Sequence, residues 1–358
     1  MVAMIPSKPF TCSRRGFLGG LACGLFAAKP GVAGPSTRPA DEPRFLTRGV
    51  VITADDLTWA DWPRQAKAAG LNTIGLHAPV SARVLAQFIQ SQAGQQFLDT
   101  CRQIGLAVEY ELHAMSDLLP RRLFDTSPEL FRMNDQGVRV REGNLCVHSE
   151  QALQVVAENA VDIAKTLRPT TGRYFYWGDD GLAWCRCPKC RGLSDTEQSL
   201  MVSNHLVAAL RKVDPRARVA HLAYHNTLAP PRQVKPAEGV FLEYAPIHRR
   251  YDVPFERADD AQSRQEFEKL DANLEVFGRE DARVLEYWLD VSLFSKWKKP
   301  AVKLPFNPEV LSADLDTYAR RGIRHVTTFA VYIDAEYVAK YGAEPLRQYG
   351  EALNRTRG

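Results

Sequence analysis

The stretch Tyr174-Phe175-Tyr176-Trp177-Gly178-Asp179-Asp180-Gly181-Leu182-Ala183-Trp184-Cys185-Arg186-Cys187-Pro188-Lys189-Cys190 runs an aromatic strand into two adjacent carboxylates and then into three closely spaced thiols. In a parallel α/β barrel the catalytic groups sit at the carboxyl ends of the strands. A strand that ends in paired acids therefore reads as one wall of such a site, with the thiols tying down the loop that carries them. On an extended chain Asp179 and Asp180 point to opposite faces and only one enters the pocket, whereas a turn admits both. Two carboxylates held close together repel, which keeps one protonated as a general acid requires. Gly178-Asp179-Asp180-Gly181 is also good turn chemistry, and that is the structural alternative.

Strand-like and helix-like segments alternate on either side of this stretch, the pattern of a parallel α/β fold. The expected strands are Gly49 to Thr53, Thr73 to His77, Ala107 to His113, Tyr174 to Trp177, Val219 to His225, Val240 to Tyr244, Val284 to Leu289 and Val326 to Tyr332. Helical spacing covers Trp62 to Ala69, Val84 to Ile104, Ala152 to Leu167, Leu200 to Val213, Ser263 to Phe277 and Leu311 to Arg321. Gly70, Gly105, Gly278 and Gly322 directly follow four of these, in the place where helices commonly end. Eight strands with their helices predict a single (β/α)8 TIM barrel over residues 48–358. An open doubly wound sheet is the alternative, although no G-x-G-x-x-G follows the first strand. Met115 to Ser149, after the third strand, is the longest insertion, and such loops usually cover a site.

Nearly every expected strand finishes in acids and aromatics. Carboxylates ringed by Trp and Tyr are what carbohydrate hydrolysis needs: one acid protonates the leaving oxygen, another acts as nucleophile, base or charge stabiliser, and flat rings pack on the sugar's C–H faces. Asp180 is the expected general acid, Asp179 its neighbour, and Glu286 or Glu243 the second carboxylate. Glu111, His113, Trp177, Tyr224, His225, Tyr244, Tyr287, Trp288 and Asp290 are the expected substrate-binding residues. Single acids at strand ends also cap helices or make ion pairs. In the third strand Glu109, Glu111 and His113 share one face, where an internal hydrogen-bond network competes with substrate binding as their role.

Cys185, Cys187 and Cys190 form C-x-C-P-x-C, which looks like a zinc-knuckle turn, and Cys146 is the candidate fourth ligand of a structural zinc. Disulfides are the alternative in an exported chain, with Cys101 making an odd count of five after a signal is removed. Four thiolates leave no open position for water, so no cofactor is expected for catalysis. No Walker motif, H-E-x-x-H helix or G-x-S-x-G elbow is present, which removes the usual signatures of phosphate transfer, zincin proteolysis and α/β-hydrolase chemistry.

Composition and charge bound the partners. With 358 residues, 45% hydrophobic and 25% charged, the chain is ordinary globular material. Its formal charge of +4 is an excess of 46 basic over 42 acidic residues. Lys8, Arg14, Arg15 and Lys29, in a leading segment without acids, account for all of it. The remainder is balanced, which argues against nucleic acid and for a neutral or weakly charged substrate. Ser13-Arg14-Arg15-Gly16-Phe17-Leu18, the weakly apolar Gly19 to Ala28 and the small residues up to Ala33 have the layout of an export signal and resemble a twin-arginine signal. This implies the twin-arginine export machinery as a partner and a periplasmic or secreted mature protein, with residues 34–47 as a linker. Cys23, in a loose lipobox, offers lipoprotein attachment as the alternative. No later segment reaches the ~20 apolar residues of a membrane span.

Glu111-Leu112-His113-Ala114, Leu118-Leu119-Pro120, Pro128-Glu129-Leu130-Phe131-Arg132-Met133, Asn144-Leu145-Cys146, Tyr176-Trp177-Gly178-Asp179-Asp180-Gly181, the cysteine run, Leu222-Ala223-Tyr224-His225 and Phe241-Leu242-Glu243-Tyr244-Ala245-Pro246 together resemble domain-of-unknown-function family 4838. Part of that family is classified as glycoside hydrolase family 163. The resemblance implies a TIM barrel related to family 20 hexosaminidases and to α-glucuronidases, and an oligosaccharide or glycan substrate containing β-linked N-acetylhexosamine. Family 20 enzymes carry an Asp-Glu pair after the fourth strand, the Glu protonating the leaving group and the Asp orienting the substrate's acetamide. Asp179-Asp180 stands at that place, with Asp180 where those enzymes have Glu. A catalytically inactive carbohydrate-binding barrel and a cysteine-centred metal or redox enzyme are the competing readings.

Overall fold

The computed structural model describes residues 43–79 and 81–355. Within them eight parallel strands close into a barrel in sequence order, which decides between the two expected architectures in favour of the (β/α)8 barrel. The strands are β1 (Thr47–Thr53), β2 (Thr73–Ala78), β3 (Ala107–His113), β4 (Arg173–Trp177), β5 (Arg218–Ala223), β6 (Val240–Tyr244), β7 (Arg283–Glu286) and β8 (His325–Phe329). β8 returns to β1 in the register Thr47↔His325 to Val51↔Phe329, so no strand is left as an edge. The expected export signal, the Cys23 alternative and most of the 34–47 linker fall outside the described residues. Among the described residues no helix is long and apolar enough to cross a membrane.

Period-two alternation sorts the strand residues into two layers. Val51, Phe175, Ala220, Phe241, Leu285 and Phe329 form an apolar cluster inside the barrel. Val50, Tyr174, Val219, Leu242, Val284 and Val326 join the larger core between the sheet and the helices. The interior also carries charge. Arg283 of β7 pairs with Glu109 (2.5 Å) and with Glu111 of β3, lies 3.3 Å from Glu243 of β6, and donates to the Thr327 hydroxyl at 3.0 Å. Its guanidinium lies over the Phe175 ring, 4.4 Å from the centroid. All four charged groups are buried.

The single helix expected over Val84 to Ile104 is two, Ala82–Gln90 and Gln92–Ile104. Ser91 between them is extended (φ −72°, ψ 164°), and its hydroxyl accepts from the Gly94 N–H at 3.2 Å, capping the second helix. A Cβ on Gly94 would stand 2.1 Å from the Phe88 carbonyl oxygen, so only glycine fits this corner. Three strands end earlier than their patterns predict. β5 stops at Ala223, β7 at Glu286 and β8 at Phe329, each turning into a loop on the face that carries the cavity described next.

Candidate active site

At the carboxyl ends of the strands lies a cavity of about 430 Å³, within the usual size of a small-molecule site. Its polar walls include Asp55 and Asp56 after β1, His77 on β2, His113 at the end of β3, Asp180 after β4 and Asp290 after β7. Trp177, Tyr224, Tyr287, Trp297 and Tyr332 supply the aromatic surface. Asp180, His113, Trp177, Tyr224, Tyr287 and Asp290, all expected from the sequence, are thus brought together.

The loop after β4 separates the two adjacent aspartates. Asp179 turns to a salt bridge with Arg121 of the long insertion, and its backbone N–H donates to Asn144 Oδ1 at 3.0 Å. Asn144 Nδ2 donates onward to the carbonyls of Leu182 (3.0 Å) and Ala183 (3.3 Å), so one buried amide holds the whole turn. Gly178 is required there, because a Cβ would meet Asn144 Oδ1 at 2.8 Å. Burial raises the Asp179 carboxyl's pKa, while Arg121 opposes the shift. Asp180 instead faces the cavity with an exposed side chain, its Oδ1 3.9 Å from His113 Nε2.

The two histidines are oriented from behind. His113 Nδ1 bonds the Gly178 carbonyl and His77 Nδ1 bonds the Glu111 carbonyl, each at 2.8 Å. A carbonyl only accepts, so Nδ1 carries the proton in each ring and Nε2 of the neutral ring is left as an acceptor. Burial, aided by the nearby His113, pulls His77 down to about 3, so it stays neutral.

Asp290 holds its place by capping the short helix Val291–Phe294. Its Oδ1 accepts from Ser292 N–H (3.0 Å), the Ser292 hydroxyl (2.6 Å) and Leu293 N–H (3.3 Å). Burial pushes its pKa up to about 6 against those bonds. Burial likewise pushes Asp56 up to about 6, but both of its oxygens are engaged. Oδ2 accepts from Thr53 N–H and hydroxyl, and Oδ1 from Tyr332 N–H, all at 2.8 Å. Asp56 therefore ties the end of β1 to the end of β8.

Several expected site residues lie elsewhere, for reasons of strand parity and depth. Glu286, Trp288 and Tyr244 occupy positions that face the helices rather than the lumen. Glu286 accepts from the Tyr318 hydroxyl and lies 3.7 Å from Arg249, which also pairs with Asp314. Trp288 Nε1 donates to Asp314 at 3.0 Å, and the Tyr244 hydroxyl donates to the Glu266 carbonyl. Glu243 and Glu111 do face inward, but below the cavity, in the Arg283 network. Trp177 Nε1 donates to Glu243 Oε2 at 3.0 Å, separating that acid from the space above. None of these five lines the cavity. His225 stands beside the cavity wall, its ring edge-on to Tyr224 and its Nδ1 3.0 Å from His248 Nε2. The unexpected members include Trp297 and Lys299, which come from the loop after β7, where no periodic pattern marks them. Asp55, Asp56, His77 and Tyr332 are legible as strand-end residues but carry no distinguishing motif.

Among the described residues, the non-glycine positions with left-handed backbone are His225 (φ 48°), Lys296 (φ 54°), Trp297 (φ 54°) and Tyr332 (φ 71°). All four lie in the loops after β5, β7 and β8 that surround this cavity. Such conformations cost on the order of 1–3 kcal/mol each and cluster at functional sites.

The four cysteines expected as a metal site also converge. The Sγ atoms of Cys146, Cys185, Cys187 and Cys190 all lie within 4.8 Å of one another, and all four residues are buried. Neither they nor Cys101 form a disulfide.

Fold and site together define a (β/α)8 barrel with an acid- and aromatic-lined cavity at the carboxyl ends of its strands. The chain belongs to the family described as Domain of unknown function (DUF4838), whose profile matches residues 33–341. No curated protein matches it. Among solved structures it resembles a glycoside hydrolase family 20 β-N-acetylglucosaminidase at 11% identity and TM-score 0.52, covering 87% of this chain and 70% of that one. It also resembles a family 42 β-galactosidase, Gan42B, at 12% identity and TM-score 0.52, and a β-galactosidase from Marinomonas ef1 at 10% and 0.54. It spans 57% and 59% of those two chains, respectively. At these identities the likeness is one of fold.

Proposed function

We propose that this protein is an exported glycoside hydrolase that cleaves a glycan with two carboxylates, Asp290 as proton donor and Asp180 as the opposing carboxylate. The observation that carries the reading is that one open cavity is lined by both acids, from β4 and β7, and by Trp177, Tyr224, Tyr287 and Trp297. Burial favours the protonated form of Asp290, which suits it to protonate a leaving oxygen. Asp180 is open to solvent and to substrate, and suits attack on the anomeric carbon or activation of a water. The Nε2 atom of the neutral His77 accepts from a sugar hydroxyl, His113 Nε2 stands beside Asp180 on the same wall, and Trp297, 62% exposed, offers a stacking face at the rim.

The position of Asp179 bears on the substrate. The family 20 resemblance implies for it the part of the carboxylate that orients an acetamide, yet here it pairs with Arg121 and does not line the cavity. This supports a mechanism run by protein carboxylates alone over one assisted by the substrate's N-acetyl group. A panel of aryl glycosides of hexoses, N-acetylhexosamines and hexuronic acids, assayed with wild type, Asp180→Asn and Asp290→Asn, tests the reading. Turnover of at least one glycoside, lost in both variants while their melting curves are retained, is the expected result. Binding without turnover by the wild type would replace it with a carbohydrate-binding barrel, and full activity in either variant would remove that residue from the mechanism.

A further inference from the structure

Behind the Asp180 wall, the sulfur cluster has a geometry that ordinary core packing does not require. Cys146 Sγ lies 3.8 Å from both Cys187 Sγ and Cys190 Sγ. A tetrahedral zinc with Zn–S bonds of about 2.3 Å places its sulfurs about 3.8 Å apart. A disulfide would need about 2.05 Å. The ligands also come from two separate segments, one thiol from the long insertion after β3 and three from the loop after β4. A merely hydrophobic contact has no reason to gather four thiols at one point.

Donors surround the sulfurs as a tetrathiolate needs. The Met133 N–H donates to Cys185 Sγ at 3.3 Å and the Cys187 N–H at 3.5 Å. Arg139 reaches the same sulfur at 3.7 Å, and His148 Nδ1 lies 3.2 Å from Cys190 Sγ. Zinc with four thiolates carries two net negative charges, and a neighbouring guanidinium together with N–H donors offsets them.

We propose that Cys146, Cys185, Cys187 and Cys190 bind one structural Zn²⁺ that fastens the long insertion to the loop carrying Asp180. Binding releases the thiol protons, and the four sulfurs fill the coordination sphere, leaving no position for water or substrate. The metal's effect on the cavity is mechanical. Around the cluster, Cys146 N–H bonds the Leu130 carbonyl at 2.9 Å and Arg186 N–H bonds the Met133 carbonyl at 2.8 Å. The zinc thereby joins the same two segments that Asn144 bridges on the cavity side.

The test is made on the full chain as purified, by elemental analysis and native mass spectrometry, followed by exchange of the metal for Co²⁺. The expected result is one zinc per chain, replaced by cobalt with thiolate charge-transfer and tetrahedral d–d absorption. Stripping the zinc with a chelator is expected to lower Tm and to open residues 127–147 and 182–193 to proteolysis. Cys146→Ser and Cys190→Ser should lose the cobalt spectrum. Should those variants fail to fold, the wild-type metal content and spectrum decide alone. A folded wild type without metal that gives no cobalt–thiolate spectrum, or peptide mapping that recovers the four cysteines as disulfides, would overturn the proposal. None of these readouts depends on whether the cavity hydrolyses a glycoside.

Discussion

Glu109, Glu111 and Glu243 inside the barrel and Asp180 and Asp290 at its mouth are all carboxylates on or just beyond strands, yet their surroundings oppose each other. The inner three share Arg283 in a region closed to solvent. Burial, together with the neighbouring acids, raises Glu111 to about 7 and Glu243 well above its ordinary value. The outer two line the open cavity, Asp180 with an exposed side chain and Asp290 buried in its wall, where burial raises its pKa to about 6. The contrast teaches that an acid on a barrel strand is assigned by depth and parity. One pleat too low, it becomes part of an ion-paired floor; one residue out of phase, as Glu286 is, it joins the layer under the helices.

The comparison breaks most severely at Arg283. Arg283→Ala leaves three buried carboxylates without their cation and is expected to cost about 3–5 kcal/mol, read as a shift in urea midpoint or as failure to fold. At the mouth the expected loss is catalytic instead. Asp290→Asn should reduce kcat/KM by about 10²–10⁴-fold, the usual contribution of a positioned acid, in steady-state assays on any glycoside the wild type turns over.

Glu243→Gln sharpens the same contrast from inside. It should change stability by about 1–3 kcal/mol in chemical denaturation with kcat within a few-fold of wild type, since it touches Trp177 and Arg283 rather than the cavity. A collapse of kcat at unchanged stability would move Glu243 into the machinery.

A pH profile separates the two regions without disrupting either. Because Asp290's pKa is raised, its proton is retained below about 6 and lost above it. Activity is therefore expected to fall as pH rises through about 6, and Asp290→Asn to remove that limb along with most of the rate. The smallest effect is expected at the rim. Trp297→Ala should raise KM several-fold, about 1 kcal/mol of stacking, with no change in Tm because the side chain is largely exposed.

Much of this was legible in the chain itself. The β3 pattern of alternating Glu109, Glu111 and His113 placed all three on one face, and that face is indeed the lumen. The Trp177-Gly178-Asp179-Asp180-Gly181 turn marked the strand end from which Asp180 lines the cavity, and C-x-C-P-x-C with Cys146 marked the four thiols that converge. Trp297 and Lys299 were not legible, because a loop carries no periodicity and their placement depends on left-handed backbone after β7. Asp290 could be named, but not its burial.

Local periodicity records which face of an element is buried, so alternation of apolar and polar residues, with glycines after helical patterns, determined the eight strands and the main helices between them, though not the break at Ser91 or the helices Ala335–Tyr341 and Glu344–Asn354. Tertiary structure alone decided which acids meet. A carboxylate's partner is set by where closure of the barrel brings a strand 172 residues away, as it brings Arg283 to Glu111. Its ionisation is set by how much water that closure leaves. Neither quantity is written in the residues next to it.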